Sequence, residues 1–117
     1  MTRLVSEHST AVDTLFTGRE LAYCFGKRRC HEHLAVRFAA KEAVLKAFGT
    51  GLANRMRWTD VEIVSGGGRP RVELHGEVAD WAERHGVTEV DVSLSHSEGL
   101  AIAQAVAVWE GAPCAST

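Results

Sequence analysis

Two pairs of charged side chains stand in an otherwise apolar stretch near the middle of the chain. Arg37 and Lys41 lie four residues apart, and so do Glu42 and Lys46. In a helix this spacing brings the two members of a pair together on one face, one turn apart. The simplest interpretation is a surface ion pair, which stabilises a helix by only about 0.2–0.5 kcal/mol. The alternative is a site where a metal ion or a charged partner compensates the charges.

The helix that would carry these pairs, over residues 31–48, is apolar on nearly every side. At about 100° per residue, its apolar side chains fall on two opposite faces: Leu34, Phe38 and Leu45 on one, and Val36, Ala40, Ala43 and Ala47 on the other. A helix of this pattern is normally buried, and buried charge is costly unless it is compensated. We therefore predict that the charges are functional, and that Glu42 and Lys46 lie beside a cleft rather than free in solvent.

Three further motifs carry weaker signals. His31-Glu32-His33 lacks the four-residue spacing that lets two histidines bind one metal ion, so we interpret it as solvated. The run from Gly66 to Pro70 lacks the pattern of a phosphate-binding loop and precedes a predicted strand. His96 follows Ser93 and Ser95 without a nucleophile elbow, so spacing alone predicts a histidine in a turn.

The elements that must position these residues are predicted to be mixed helices and antiparallel strands. Thr17 and Glu20 form a capping box at the start of a short helix that ends at Gly26, and Gly49 is expected to end the long helix. The other predicted helices cover residues 2–14 and 77–85, and the predicted strands cover residues 61–64, 71–74, 90–94 and 100–106. This order predicts an α+β fold with a small antiparallel sheet packed on the long buried helix.

Length and composition exclude several classes of protein. The chain has 117 residues, 45% of them hydrophobic, which suits one domain over residues 1–110 and a disordered tail over residues 111–117. No apolar run is long enough to cross a membrane, and the first residues have no signal-peptide pattern. The three cysteines have no C-x-x-C spacing, so we expect neither a disulfide framework nor a zinc site, but a cytoplasmic protein.

The net charge of −2 hides an asymmetry between the two halves of the chain. Up to Arg57 there are ten basic and five acidic residues, whereas from Trp58 onward there are three basic and ten acidic residues. A basic half attracts a phosphorylated ligand or an acidic protein. The alternative is that the two halves neutralise each other within the fold or an oligomer.

Several segments together resemble the holo-acyl-carrier-protein synthase branch of the 4′-phosphopantetheinyl transferases. The most specific is the run R-F-A-A-K-E-A-x-x-K-A-F-G-T-G from Arg37 to Gly51. The others are Phe16-Thr17-x-x-Glu20-Leu21, Trp58-x-Asp60-Val61-Glu62-Ile63, Gly68-Arg69-Pro70 and Ser93-Leu94-Ser95-His96-Ser97. Order and spacing match from Arg3 to Glu110, so the resemblance covers almost the whole chain.

The resemblance implies the fold of that family and an enzyme of fatty acid or polyketide metabolism. Such an enzyme moves the phosphopantetheine arm of coenzyme A to a serine of an acyl carrier protein and releases 3′,5′-ADP. By the same resemblance Glu42 would be a ligand of Mg²⁺, and Lys46 would act beside the transferred phosphate as base or charge stabiliser. The implied coenzyme A contacts are Arg37, Lys41, Gly49 and His96.

The resemblance also implies protein partners. Carrier proteins of this family present an acidic helix, which the basic half of the chain suits, and the candidate contacts are Arg3, Arg28 and Arg29. Family members of this length form homotrimers with active sites between subunits. No nucleic acid and no membrane is expected as a partner.

One part of the family pattern is missing from the sequence. The family opens with a strand reading roughly G-I-D-x-V-E-x-x-R-I, whose aspartate is the other protein ligand of Mg²⁺. Arg3 and Leu4 match the end of this motif, so the aspartate would lie before residue 1. The favoured explanation is a start further upstream, and the alternative is natural truncation. A truncated chain would be a non-catalytic domain that still binds coenzyme A or a carrier protein, and a structural oligomerisation module is the third hypothesis.

Overall fold

A computed structural model describes residues 9–66, 68–97 and 99–110 of the chain. Three predictions therefore fall outside the described residues: the first part of the helix over residues 2–14, the position of Arg3, and the disordered tail over residues 111–117. Within the described residues, no helix is long and apolar enough to cross a membrane.

Two short helices open the described part of the chain. Helix α1 covers Ser9–Leu15 and helix α2 covers Gly18–Phe25. The predicted capping box is confirmed, because the Glu20 amide donates to Thr17 Oγ1 at 3.1 Å and the Thr17 amide donates to Glu20 Oε1 at 2.8 Å. Gly26 caps the C-terminus of α2, also as predicted.

The long helix α3 covers Cys30–Phe48 and ends at Gly49, which adopts φ +84°. This left-handed conformation favours glycine, so the predicted helix stop is confirmed. The prediction that the helix is buried all round is wrong, because one stripe of it stays open to solvent. The stripe contains the exposed residues Ala35, Glu42 and Lys46 and the half-buried Ala39 and Ala43.

The strands form two antiparallel hairpins. Strand β1 (Val61–Val64) follows a short 3-10 helix over Trp58–Asp60 and pairs with β2 (Arg71–Leu74), with Val61 opposite Leu74. Helix α4 (Gly76–Arg84) leads to β3 (Val87–Ser97), which pairs with β4 (Leu100–Trp109). Both hairpins are confirmed, but within the described residues they form two separate sheets rather than one.

The second hairpin is longer than predicted. The prediction ended the strands at residues 94 and 106, yet pairing continues to Ser97 opposite Leu100 and to Val87 opposite Trp109. His96 consequently lies in strand β3, opposite Ala101, and the prediction of a histidine in a turn is wrong. The polar end of β3 stays extended because its backbone groups are paired with β4.

Helix α3 lies at the centre of the fold. The β3–β4 hairpin packs against it, and α2 and β1 also contact it. The larger core cluster joins the C-terminal half of α3 to the hairpins and α4; its most buried members are Ala40, Val44, Leu45, Val61, Ile63 and Val78. A smaller cluster joins α1 and α2 to the start of α3 and consists of Val12, Phe16, Cys24 and Leu34. The buried faces of α3 thus contact these two clusters, and the open stripe faces solvent.

Candidate functional site

Lys41 lies in the interior of the fold rather than at a ligand site. Its side chain has 0% exposure, and Nζ lies 2.8 Å from Glu20 Oε1. Nζ also donates to the backbone carbonyls of Trp58, at 3.1 Å, and of Val61. Three acceptors satisfy the three donors of an ammonium group, so none is left for coenzyme A. The predicted coenzyme A contact is therefore corrected to a structural role.

The buried ion pair joins three segments of the chain. Glu20 belongs to α2, Lys41 to α3, and the carbonyl of Val61 to the start of β1. Glu20 Oε2 also accepts a hydrogen bond of 2.9 Å from the amide of Ile63. Burial lowers the pKa of Lys41, and the neighbouring Glu20 carboxylate opposes that shift.

Arg37 is also buried, with 2% exposure, but not all of the hydrogen-bond donors of its guanidinium group are paired. Its Nη1 donates to the carbonyl of His33 at 3.1 Å, and its Nη2 donates to Ser65 Oγ. The guanidinium carbon lies 4.6 Å from the centre of the Tyr23 ring. Among the residues that the structure describes, the buried Nε has no hydrogen-bond partner, although buried donors are normally paired. An unpaired donor on a permanent cation is suited to an anionic ligand.

Arg37 and His96 meet in one cleft of about 280 Å³. Its lining residues are Tyr23, His33, Val36, Arg37, Ser65, Gly66, Gly68, Pro70, Leu94 and His96. The two residues that the sequence assigned to coenzyme A phosphates thus come together from α3 and β3. Gly66, Gly68 and Pro70 belong to the glycine-rich run, for which the sequence analysis predicted no phosphate-binding role, and they line the same cleft.

The segment His31-Glu32-His33 was predicted to be solvated, and the structure contradicts this for two of its three residues. Glu32 Oε1 lies 3.1 Å from His96 Nδ1, and the side chain of Glu32 has 14% exposure. The ring of His33 packs edge-on against that of His96, with centroids 5.1 Å apart. Burial, with Arg37 nearby, lowers the pKa of His33. His31 is exposed, as predicted.

Glu42 and Lys46 lie together on the open stripe of α3. Both are exposed, and within the described residues neither forms a hydrogen bond or an ion pair. They do not line the cleft that contains Arg37 and His96, and the predicted cleft beside them stays a prediction. Small side chains, Ala39 and Ala43, flank them on the stripe. The stripe therefore offers a free carboxylate and a free ammonium group with room beside them.

The free carboxylate of Glu42 fits a magnesium site that takes few protein ligands. Mg²⁺ prefers oxygen ligands and is usually held by one or two carboxylates together with water and substrate phosphates. Gly49 lies just beyond Lys46 at the end of α3 and is exposed. Arg28 is exposed, and Arg29 pairs with Glu32 at 3.6 Å. Both arginines lie at the N-terminal end of α3, just after the end of α2.

The sequence analysis missed a polar cluster on the first hairpin. Glu62 Oε1 lies 2.9 Å from Arg19 Nη2 and 2.8 Å from His75 Nε2, and Glu73 Oε1 lies 2.6 Å from the same Arg19 nitrogen. The group Glu62, Glu73 and His75 brings its ligand atoms within 4.8 Å of one another, but Arg19 already supplies the cation. Glu62 faces Glu73 across the hairpin, so the register alone indicates that a cation must lie between them.

Tyr23, His33 and Ser65 are cleft residues that sequence reasoning missed, and it also missed Glu32, which contacts His96 from beside the cleft. Only the neighbouring aromatic and basic residues Tyr23, near the end of α2, and Lys27, just after it, could have indicated them. Lys27 Nζ lies 4.5 Å from the centre of the Tyr23 ring, on which Arg37 also packs.

Comparison with known proteins identifies one family throughout. The family described as the 4′-phosphopantetheinyl transferase superfamily matches residues 2–105. A holo-[acyl-carrier-protein] synthase of Geotalea daltonii is 43% identical over 106 residues, which are 89% of this chain and 85% of the relative. That of Moorella thermoacetica is 47% identical over 105 residues, which are 89% of this chain and 81% of the relative.

Solved structures agree with the sequence relatives. The holo-[acyl-carrier-protein] synthase of Neisseria meningitidis superposes with a TM-score of 0.79 at 30% identity, over 92% of this chain and 87% of that one. The synthase of Bacillus anthracis, solved in complex with CoA (3′,5′-ADP), superposes with a TM-score of 0.69 at 29% identity, over 91% of this chain and 86% of that one.

Proposed function

This chain belongs to the 4′-phosphopantetheinyl transferase superfamily, and from that premise we propose that it is a holo-[acyl-carrier-protein] synthase. It transfers the 4′-phosphopantetheine arm of coenzyme A to a serine of an apo acyl carrier protein. The serine oxygen forms a bond to the phosphorus that carries the arm, the pyrophosphate bond breaks, and 3′,5′-ADP leaves. The serine proton passes to a base.

The unpaired donor of Arg37 is the observation that carries the proposal at the level of residues. Arg37, which has 2% exposure and a buried Nε with no partner among the described residues, lines the same cleft as His96. Arginine presents its donors in a fork that matches phosphate oxygens, which suits a coenzyme A phosphate. Gly66 and Gly68, which line the cleft, have no side chain to keep a ligand away from the backbone.

Glu42 and Lys46 are proposed to act on the pyrophosphate. Glu42 supplies a carboxylate oxygen for Mg²⁺, which when bound neutralises charge on the phosphate oxygens. Phosphoryl transfer depends mainly on positioning and on such neutralisation. Lys46, one turn along the helix, stabilises the same charge or accepts the serine proton.

A homotrimer with sites between subunits explains why the two halves of the site are apart in one protomer. The outer face of β4 exposes large apolar side chains, including Leu100 and Val106, each at 61%. Contiguous apolar surface of this kind marks a protein interface. The open stripe of α3 is available to a second copy in the same way. Arg28 and Arg29 are proposed to contact the acidic helix of the carrier protein, and a cytoplasmic location stays a prediction.

The proposal is tested by incubating the protein with coenzyme A, Mg²⁺ and an apo carrier protein, and then weighing the carrier by mass spectrometry. We expect the carrier to gain one phosphopantetheine group. Glu42→Gln should lose that gain while the protein keeps its melting temperature, because Glu42 is exposed and pairs with none of the described residues. Glu83→Gln makes the same change at an exposed glutamate of α4 and should leave transfer unchanged.

Two results would contradict the proposal. Equal transfer by the wild type and Glu42→Gln would remove Glu42 from the mechanism. Coenzyme A binding by the wild type without any transfer would favour the non-catalytic binding domain instead.

A further inference from the structure

The start of α3 contacts the candidate ligand cleft through side chains that the proposed function does not use. Glu32 and His33 are adjacent in sequence, and both contact His96 of strand β3. His96 itself lines the cleft together with Arg37. The ring of His96 is thus held by two residues of α3 before any ligand binds.

The contact between Glu32 and His96 determines which nitrogen of the His96 ring is available to a ligand. Nδ1 lies 3.1 Å from Glu32 Oε1, a distance at which the imidazole donates its Nδ1 proton to the carboxylate. A carboxylate can only accept at this contact, so Nδ1 must carry the proton. Nε2 is then the nitrogen left for a ligand, and it can donate to an anion only when the ring is a cation.

We propose that Glu32 is a positioning residue that holds His96 by Nδ1 and so presents Nε2, as a donor, to a phosphate group of coenzyme A in the cleft. This inference rests on the proposed function. Glu32 touches no ligand itself, since its part is to orient the imidazole ring of His96. The arrangement resembles the way a carboxylate fixes the tautomer of a histidine that acts on a substrate or a metal ion.

The groups that face His96 favour a neutral ring at the neighbouring His33. From α3 these are Glu32, His33 and Arg37, and from α2 Tyr23 contacts both His33 and Arg37. Arg37 and burial lower the pKa of His33, so His33 packs against His96 as a neutral ring. A second cation at His33 would repel a charged His96, whereas a neutral ring supports it.

The experiment compares Glu32→Ala and Glu32→Gln with the wild type. We expect Glu32→Ala to raise the KM for coenzyme A about tenfold, as for the loss of one charge-assisted hydrogen bond, with kcat within about twofold. Glu32→Gln keeps an acceptor but not the charge, so its KM for coenzyme A should lie between those of Glu32→Ala and the wild type. Glu83→Ala and Glu83→Gln, which make the same changes on α4, should match the wild type.

Two readouts do not depend on transfer. The first is the dissociation constant of 3′,5′-ADP by calorimetry, which should rise about tenfold in Glu32→Ala. The second is a long-range ¹H–¹⁵N NMR spectrum of the histidine rings, with the His96 signals assigned by His96→Asn. The wild type should show Nδ1 of His96 protonated, and Glu32→Ala should show a mixture of tautomers.

The outcomes separate the two hypotheses. A wild type that binds 3′,5′-ADP, with unchanged binding and unchanged His96 signals in Glu32→Ala, would overturn the role of Glu32 and leave the proposed function intact. A wild type that binds neither coenzyme A nor 3′,5′-ADP would overturn the proposed function and, with it, this inference, whatever the histidine spectrum shows.

Discussion

Replacing Lys41 by methionine is expected to destabilise the fold strongly without weakening the binding of coenzyme A. Lys41→Met keeps most of the side-chain volume but removes the ammonium group. Glu20 then stays buried with two backbone donors, the amides of Thr17 and Ile63, and without its counter-ion. The carbonyls of Trp58 and Val61 lose a donor at the same time.

The magnitude follows from the burial of the pair. Removing one partner of a buried ion pair typically costs about 3–5 kcal/mol, because the remaining charge is left uncompensated. The two amides that still donate to Glu20 favour the lower end, about 3 kcal/mol. A domain of this size has a free energy of unfolding of about 5–15 kcal/mol, so the loss is a large share of it.

The assay is urea unfolding at neutral pH, followed by tryptophan fluorescence. A loss of about 3 kcal/mol corresponds to a fall of about 1–3 M in the urea midpoint. Lys46→Met is the matched control, since it makes the same substitution at an exposed position of the same helix and should cost under about 0.5 kcal/mol. A double variant, Glu20→Gln with Lys41→Met, should lose less than the sum of the single losses, because the pair acts as one unit.

Steady-state kinetics of the same variants distinguish a structural role of Lys41 from a ligand-binding role. At a temperature where Lys41→Met is folded, we expect its KM for coenzyme A to stay within about twofold of the wild type, whereas Lys46→Met should lower turnover. The reverse pattern, an unchanged urea midpoint with a KM raised about tenfold or more, would refute the structural assignment and restore Lys41 to the coenzyme A site.

Three further predictions concern acid stability, backbone geometry and assembly. Arg19 is the main cause that lowers the pKa of Glu62, to about 2. The stability that Glu62 contributes is therefore present above the ordinary glutamate pKa and is lost as the pH falls towards 2. Between pH 6 and pH 3 the free energy of unfolding should fall by about 2 kcal/mol less in Glu62→Gln than in the wild type. Gly76→Ala should cost about 1–3 kcal/mol in urea unfolding, because φ is +52° and the new Cβ would lie 2.7 Å from Asp60 Oδ1, whereas Gly18→Ala, with nothing within 4 Å, should not destabilise. Val106→Lys should convert the proposed trimer to protomers in sedimentation experiments, and a monomeric wild type would contradict the trimer.

Local sequence signals predicted most of the fold. The capping box at Thr17 and Glu20, the stop at Gly49 and the alternation in both hairpins depend on neighbouring residues only, and each was confirmed. The division into two sheets depends on which strand edges meet in space, which alternation within a strand does not encode. The length of the second hairpin was underestimated because Ser95 and Ser97 are polar, although backbone pairing rather than side-chain type extends β3.

The candidate site was predicted less completely, for a reason that Lys41 illustrates. Helical periodicity places Lys41 one turn from Arg37 but says nothing about Glu20, which lies 21 positions earlier in the chain. Glu32 and His96 are 64 positions apart, so their contact was equally invisible. Single motifs identified charged residues of α3, and only tertiary contacts divided them into buried and exposed groups.

The buried and exposed charges of α3 are connected by the geometry of the helix. Lys41 and Glu42 are consecutive, so their side chains leave the helix axis about 100° apart. The contacts of Lys41 with Glu20 and with the start of β1 act together with the apolar packing of α3 to hold the rotation of the helix, so Glu42 points away from the core, and Lys46, four residues on, points the same way. The position of the proposed metal-binding carboxylate therefore depends in part on a neighbour that never meets the substrate. A double variant that replaces Glu20 and Lys41 by an apolar pair should therefore recover the free energy of unfolding. Its turnover then shows whether Glu42 has kept its orientation.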